Sequence, residues 1–415
     1  MADPKAYSLP HKLEGKLKVI PSRDCRPSEE IISNIKAPPP VTTEQNVWAF
    51  WHSGLDNMPA WTKRNVVNWA RLLGPDWTIR VLDTLPDSPS NALNFVPPTL
   101  LPSAFVEHQM SGDYVGPHSA DLLKGACLFL HGGAWLDVGI LLFRHLEKIC
   151  WAALCDPKQP YEVAVPHAWS LMTSNAFLMA RKGSPFIQRW HEIFCALWRD
   201  GRTNHKGMAS DPLLTALLPA LSRPKPPEDA AKEAQYKFDY AVSFAEILEY
   251  VSQVLSWMRV CLLDSPGKDR EGFSGRKYWE QKVLLIDSLD EIWLAEKLTG
   301  FDTQKVFDLL ATKFDDEDTA KVEEAGNLVW TLLEQASMQK VYHGKKLLKT
   351  PALGQLWDRS ENGNADCAEG TFAALLRYGS VHFEQTRHIG AITSIERAVK
   401  AGICAAAPGK FHPRI

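Results

Sequence analysis

The sequence predicts an α/β fold: a mostly parallel sheet flanked by helices, followed by a helix-rich C-terminal part. Three observations carry this. A strand, a helix and a second strand follow one another between Asn46 and Asp83, the β-α-β order that builds parallel sheets. The stretch His118–Gly139 repeats the theme as a helix, a double glycine and a short apolar strand ending on Asp137. Beyond the Pro-rich break Arg223–Asp229, the segments 230–260 and 286–312 carry helical spacing instead.

Composition narrows the class. A chain of 415 residues can bury a large core in one or two domains. With 45% hydrophobic and 23% charged residues it is an ordinary globular sequence. The net charge of −3 gives no overall attraction to nucleic acid or anionic membrane, so any polyanion contact needs a local basic patch. The fifteen tryptophans read mainly as core, with some as aromatic pocket walls. Eight cysteines include no Cys-x-x-Cys pair, and Cys127 and Cys150 lie in apolar runs, which argues for a reducing compartment and against structural zinc. The N-terminus has no apolar h-region and no stretch has the length of a membrane span, so a cytoplasmic protein is expected.

Taken in order, residues 1–40 form a polar extension ending in Ala37-Pro-Pro-Pro40. Asn46–Trp51 is a strand closed by a turn at His52-Ser-Gly54. Trp61, Val66, Trp69 and Leu73 give a helix that stops at Gly74-Pro75, and Trp77–Asp83 is the second strand. Residues 84–117, rich in Pro, Asn and Ser, read as a connection with short helices that covers a site. Helix 118–131, strand Ala134–Asp137, apolar Ile140–Phe143, and strands Glu162–Val165 and Ser174–Ala180 follow, then an amphipathic helix from Ser184 to Arg199. The expected organisation is an extension (1–40), a nucleotide- and substrate-binding domain (41–222) and a helix-rich region (223–415) packed on it.

The candidate site residues sit where such sheets place their chemistry, beyond strand ends. Asp137 ends an apolar strand, where a carboxylate is costly unless it meets a metal, a donor or a substrate. Asp121 and Lys124 share a helix face at i and i+3, either as an exposed pair or, with His118 and Ser119 before them, at a helix end able to take an anion. Gly132-Gly133 fits a helix C-cap or close backbone approach to a ligand. Trp51 and His52 follow the first strand, and His52 suits a phosphate, a ribose or a turn cap. His167 and Asn175 lie near later strand ends, where a structural role is the simpler reading. The basic residues Arg181, Lys182, Arg189, Arg199, Arg202, His205 and Lys206, and the later Lys345, Lys346 and Lys349, read as solvated faces or as a polyanion contact.

The runs Trp48…Trp51-His-Ser-Gly54, Ser119-Ala-Asp121-Leu-Leu-Lys124 and His131-Gly-Gly-Ala-Trp-Leu-Asp137 resemble capsular-polysaccharide-synthesis and mannosyltransferase-like sugar transferases. Their pattern is a Trp-rich strand with Gly, a helix of Ser-x-Asp-x-x-Arg type, and Gly-Gly-x-x-Leu-Asp-x-Asp. The resemblance covers about 46–200 and implies a GT-A-like nucleotide-binding sheet. It places Asp121 and Lys124 against a nucleotide sugar and Asp137 on the first acid of a Mn²⁺- or Mg²⁺-binding motif. Lys124 departs from the family's Arg, and Gly139 replaces the second acid.

The run Leu136-Asp-Val-Gly-Ile-Leu-Leu-Phe-Arg144 is also similar to fungal arginine-containing cyclodipeptide synthases, a resemblance that adds Arg144 to the site. It implies a transferase of secondary metabolism that condenses arginyl-tRNA with a second aminoacyl-tRNA into a diketopiperazine. No cofactor, membrane or stable protein partner is implied. Asp137 or Asp121 would grip the guanidinium, and His52, His118 or His167 would serve as base. Because the second acid and an N-terminal anchor are missing, this cyclodipeptide synthesis is the expected function. A nucleotide-sugar glycosyltransferase with Asp137 on Mn²⁺ or Mg²⁺ is the alternative.

Overall fold

The computed structural model describes residues 7–168, 172–217, 231, 234–265 and 272–391. At its centre is a seven-stranded sheet. Six of its strands come from the first half of the chain: β1 (Asn46–Phe50), β2 (Thr78–Leu82), β3 (Gly133–Leu136), β5 (Val163–Ala168), β6 (Met172–Thr173) and β7 (Phe177–Ala180). The last is β8 (Val283–Asp287); a separate ribbon pairs β4 (Ile140–Leu142) with β9 (Met338–Lys340). The order across the sheet is β8-β5-β7-β3-β1-β2, with β6 on β5. β1 runs parallel to β2 and β3, and β8 parallel to β5, while β7 is antiparallel to its neighbours β3 and β5. The fold is therefore α/β with a mostly parallel central sheet flanked by helices, as expected.

Strand alternation explains how both faces fill. Trp48 and Phe50 of β1 point into one core with Leu122, Leu123 and Ala126 of helix Val115–His131 and Trp190 of helix Pro185–Ala196. Val47 and Ala49 point the other way, onto Val66, Val67 and Ala70 of helix Ala60–Leu73. A third apolar cluster joins Trp61, Leu141 and Phe143 to the helices Thr303–Ala311, Thr319–Gln335 and Phe372–His382. Among the described residues no helix is long and apolar enough to cross a membrane.

Three elements differ from expectation. Helix Val115–His131 begins three residues before His118 because Pro117 is its third residue, where a missing N–H removes no helical bond. Val283–Asp287 is a strand in the region expected to be helix-rich, and its end overlaps the segment 286–312 read as helical: four consecutive buried apolar residues satisfy either period equally. In the polar extension, Leu17–Val19 pairs with Phe383–Gln385, and the buried Arg80 guanidinium donates to the carbonyls of Pro39 and Pro40.

Beside β9, Glu296 is 2% exposed and accepts a 2.6 Å bond from Gln339 Nε2. Burial pushes its carboxyl up from 4.5 to about 7, against the opposing pull of Gln339 and its own N–H. The unfolded chain ionises first, so this group makes stability fall as pH rises from about 4.5 to about 7, by about 3 kcal/mol in full. Glu296→Gln should abolish that fall. Urea unfolding should find the variant stabilised at pH 8 and nearly unchanged at pH 4.5; an equal effect at both would show that Glu296 does not titrate with folding.

Candidate active site

The strand order reverses at β1, whose partners β2 and β3 lie on opposite sides, and open α/β sheets bind ligands at such a point. A cavity of about 580 Å³ opens there, at the carboxyl ends of β1 and β3. Phe50, Trp51 and His52 enter it from β1, and Trp135 and Asp137 from β3. Of residues 84–117 only Gly116 and Pro117 reach its wall; the opposite wall is the segment from Lys340 to Leu348.

Its polar floor is an alternating chain of charges. Lys124, 1% exposed, places Nζ 3.1 Å from Asp121 Oδ1 and 3.9 Å from Asp137 Oδ1, and lies 5.5 Å over the Trp135 ring. Lys340 Nζ, from β9, donates to Asp137 Oδ2 at 2.7 Å, and Trp135 Nε1 donates to Oδ1 at 3.0 Å. Burial opposes ionisation of Asp137, but Lys340, Lys124 and these hydrogen bonds overcome it and hold its carboxyl below the usual range. Asn175 Nδ2 donates to Asp121 Oδ1 at 3.1 Å and to Gln253 Oε1 at 2.8 Å, while Gln253 donates to the Asp121 carbonyl. Behind this floor His118 is buried, its Nδ1 3.7 Å from Asp121 Oδ2, among the rings of Tyr114, Trp198, His205 and Tyr250.

The outer wall carries the acid–base groups. His343 Nε2 lies 3.2 Å from Asp358 Oδ2, and Trp61 Nε1 fixes the other carboxylate oxygen at 2.7 Å. Partial burial, and then Lys345, hold His52 below its ordinary value, so it is neutral at pH 7. Aromatic rings complete the wall: Phe238, Trp293 and Tyr342 meet edge-on or tilted at 5.4–5.7 Å, beside Trp51 and Trp61.

The structure thus gathers Asp121, Lys124, Asp137, Asn175, Trp51 and His52, with His118 directly behind them. It does not bring the remaining candidates there. Gly132 caps helix Val115–His131 at φ +70°, its N–H on Leu128 O. A Cβ on Gly133 would overlap the carbonyl oxygens of Glu44 and Asn46, so this pair serves the backbone at the far end of β3. Arg144 is buried with Gln385, Lys148 and Arg387 as acceptors, and His167 packs on Trp279 within the sheet. Lys340, His343 and Asp358 escaped the sequence reading, although Tyr342–Lys349 stood out as a basic run.

A buried polar floor at the switch point of an α/β sheet, facing acid–base groups across a cavity, gives this fold a ligand-binding site with groups able to move a proton. Comparison with known proteins gives the class. Residues 26–218 match the model of the capsular polysaccharide synthesis protein family. "Probable glycosyltransferase FCK3" of Fusarium pseudograminearum is 44% identical over 92% of this chain and 94% of its own. "O-glycosyltransferase braB" of Annulohypoxylon truncatum is 41% identical over 90% of this chain and 88% of its own, and "Glycosyltransferase afumC" of Aspergillus fumigatus 41% over 90% and 95%. A solved structure titled "PaToxG Glycosyltransferase" aligns with a TM-score of 0.28 at 13% identity, over 55% of this chain and 91% of its own, too slight a likeness to carry an argument. The chain belongs to the glycosyltransferase family of these fungal relatives.

The expectation of a cyclodipeptide synthase using arginyl-tRNA is thereby overturned: relatives at 40–44% identity over most of the chain are named glycosyltransferases. The physical reason is visible in the site. The carboxylates meant to grip a guanidinium already hold Lys124 and Lys340. Four of the basic residues meant for tRNA phosphates pair with carboxylates of the protein, Arg181 with Glu44, Arg199 with Asp211, Lys346 with Asp113 and Lys349 with Asp239.

A divalent ion of the Asp-x-Asp kind needs several hard oxygen ligands. Both Asp137 oxygens already accept hydrogen bonds from protein donors, and position 139 has no side chain. Among the described residues no three of His, Cys, Asp and Glu come together with metal-ligand geometry. The residues present do not fit that ion.

Proposed function

We propose that this protein transfers a sugar from a nucleotide donor to a hydroxyl of a small apolar acceptor. The observation that carries this is a cavity in which a charged floor faces an aromatic wall. Lys340 offers a cation for the diphosphate, Asp121 and Asn175 offer hydrogen bonds for sugar hydroxyls, and Trp51, Trp61, Phe238, Trp293 and Tyr342 offer apolar area for an acceptor. Two relatives named O-glycosyltransferases support a hydroxyl as the attacking group.

In the reaction the acceptor oxygen bonds to the anomeric carbon, whose bond to the diphosphate breaks with the electron pair leaving on phosphate oxygen. The hydroxyl proton needs a base. His343 fills that role: with Nε2–H given to Asp358, its Nδ1 carries the lone pair. His343→Gln should lower transfer by about a hundredfold while leaving nucleotide binding intact; unchanged turnover would remove His343 from the chemistry.

The function itself is tested by incubating the purified protein with sugar nucleotides and a panel of hydroxylated apolar acceptors, following nucleoside diphosphate release and acceptor mass. A product heavier by one sugar residue is the expected result. Release of no diphosphate from any donor, with or without acceptor, would overturn it.

A further inference from the structure

The lost second acid and Lys340 have one structural cause. β9 pairs antiparallel with β4, with Lys340 opposite Ile140. The next residue, Val341, donates its N–H to the Gly139 carbonyl at 2.8 Å. A Cβ on Gly139 would overlap the Val341 carbonyl oxygen, so no aspartate fits at the second acid position while this strand is in place. The same pairing carries the Lys340 ammonium to 2.7 Å from Asp137, the acid that remains. Where the motif would hold a divalent cation between two carboxylates, this chain holds a monovalent one on a single carboxylate.

We infer that the Lys340 ammonium replaces the divalent ion as the group that holds the donor's diphosphate, so that nucleotide binding and sugar transfer proceed without a metal. This rests on the sugar-transfer reading and goes further, to the agent that receives the leaving group's charge. An ammonium has three N–H donors; Asp137 takes one and the side chain borders the cavity, leaving the others for phosphate oxygens. Lys340 is 14% exposed, so its charge acts with little screening by water. Asp137, kept ionised by its neighbours, is a positioning residue: it fixes where the ammonium stands. Lys345, five residues along the same segment and also on the wall, adds a second cation. The floor pairs Asp121 and Asp137 with Lys124 and Lys340, and on the wall Asp358 offsets Lys345, so the attraction for a diphosphate is local to the Lys340 ammonium and not a net charge of the site. As the sugar–phosphate bond breaks, the charge that gathers on the leaving oxygen meets a fixed cation.

The test is binding, read by quenching of the cavity tryptophans with UDP, GDP, ADP and CDP, each in excess EDTA and again with Mn²⁺. At least one nucleotide should bind in EDTA, with affinity changed less than about twofold by Mn²⁺. Lys340→Met should weaken it about tenfold or more, and Lys340→Arg, which keeps the charge, far less. Binding that appears only with Mn²⁺ overturns the inference, as does a folded Lys340→Met protein that binds like the parent. If Lys340→Met fails to fold, the EDTA arm on the unaltered protein decides alone. Binding of no nucleotide under either condition overturns the sugar-transfer reading itself, an outcome distinct from metal-dependent binding.

Discussion

Asp137→Asn should lower kcat/KM for sugar transfer by about a hundred- to a thousandfold, the size of effect seen when one preorganised electrostatic group is lost. The substitution keeps the shape of the side chain, and its amide oxygen can still accept from Trp135 Nε1, now 3.0 Å away. What disappears is the charge between Lys124 and Lys340, at 3.9 and 2.7 Å. Lys124 keeps Asp121 at 3.1 Å, so the buried ammonium stays paired and the fold should hold. Lys340 loses its anchor and its long chain regains rotamer freedom, which blurs the cation's position. Steady-state kinetics with thermal melting separates the two effects. A large rate loss with a melting temperature within a few degrees of the parent is expected, whereas unchanged kinetics would take Asp137 out of the reaction.

Much of this site could be read from the sequence because its floor is local. Asp121, Lys124 and Asp137 lie within seventeen residues, on one helix and the strand that follows it. An apolar strand ending in a carboxylate signals a site whatever the rest of the chain does. The outer wall was not legible, because β9 has three residues and no period to detect, and the hydrogen bond it brings to Asp137 joins positions 203 apart. Gly139 misled for the same reason. Read alone it is a missing acid, and it turned the expectation towards aminoacyl transfer; beside Val341 it is the close contact that brings Lys340 in. The glycine pair 132–133 was ambiguous by nature, since a helix cap and a ligand loop place the same demand on φ. Strands β1, β2 and β3 were clear because each is an apolar run bounded by turn residues, whereas β8 stands between helices Gly275–Lys282 and Ser288–Glu291 in a part dominated by helical spacing.

Asp366→Asn should destabilise the protein by about 3–5 kcal/mol, the loss found when one partner of a buried ion pair is removed. Asp366 has a side chain 1% exposed and bonds both Arg64 and Arg377. Arg377 is itself buried, and burial holds its guanidinium below the ordinary value against the pull of Asp366, so without that carboxylate a cation is stranded in the core. Arg377 also donates to Asn65 Oδ1 at 3.0 Å and to the Trp61 carbonyl at 3.2 Å, fastening helix Phe372–His382 to helix Ala60–Leu73. The consequence reaches the site, because the Trp61 indole holds Asp358, which holds His343. Urea unfolding at pH 7 gives the stability loss, and turnover well below the melting temperature tells whether His343 has been loosened. Asp366→Leu combined with Arg377→Met should restore much of the stability, since two apolar residues strand no charge, although Arg64 must then turn to water. If that pair is no more stable than Asp366→Asn, the loss comes from packing and not from an unpaired charge. If it recovers stability but not turnover, the hydrogen bond from Arg377 to the Trp61 carbonyl is what keeps His343 in register.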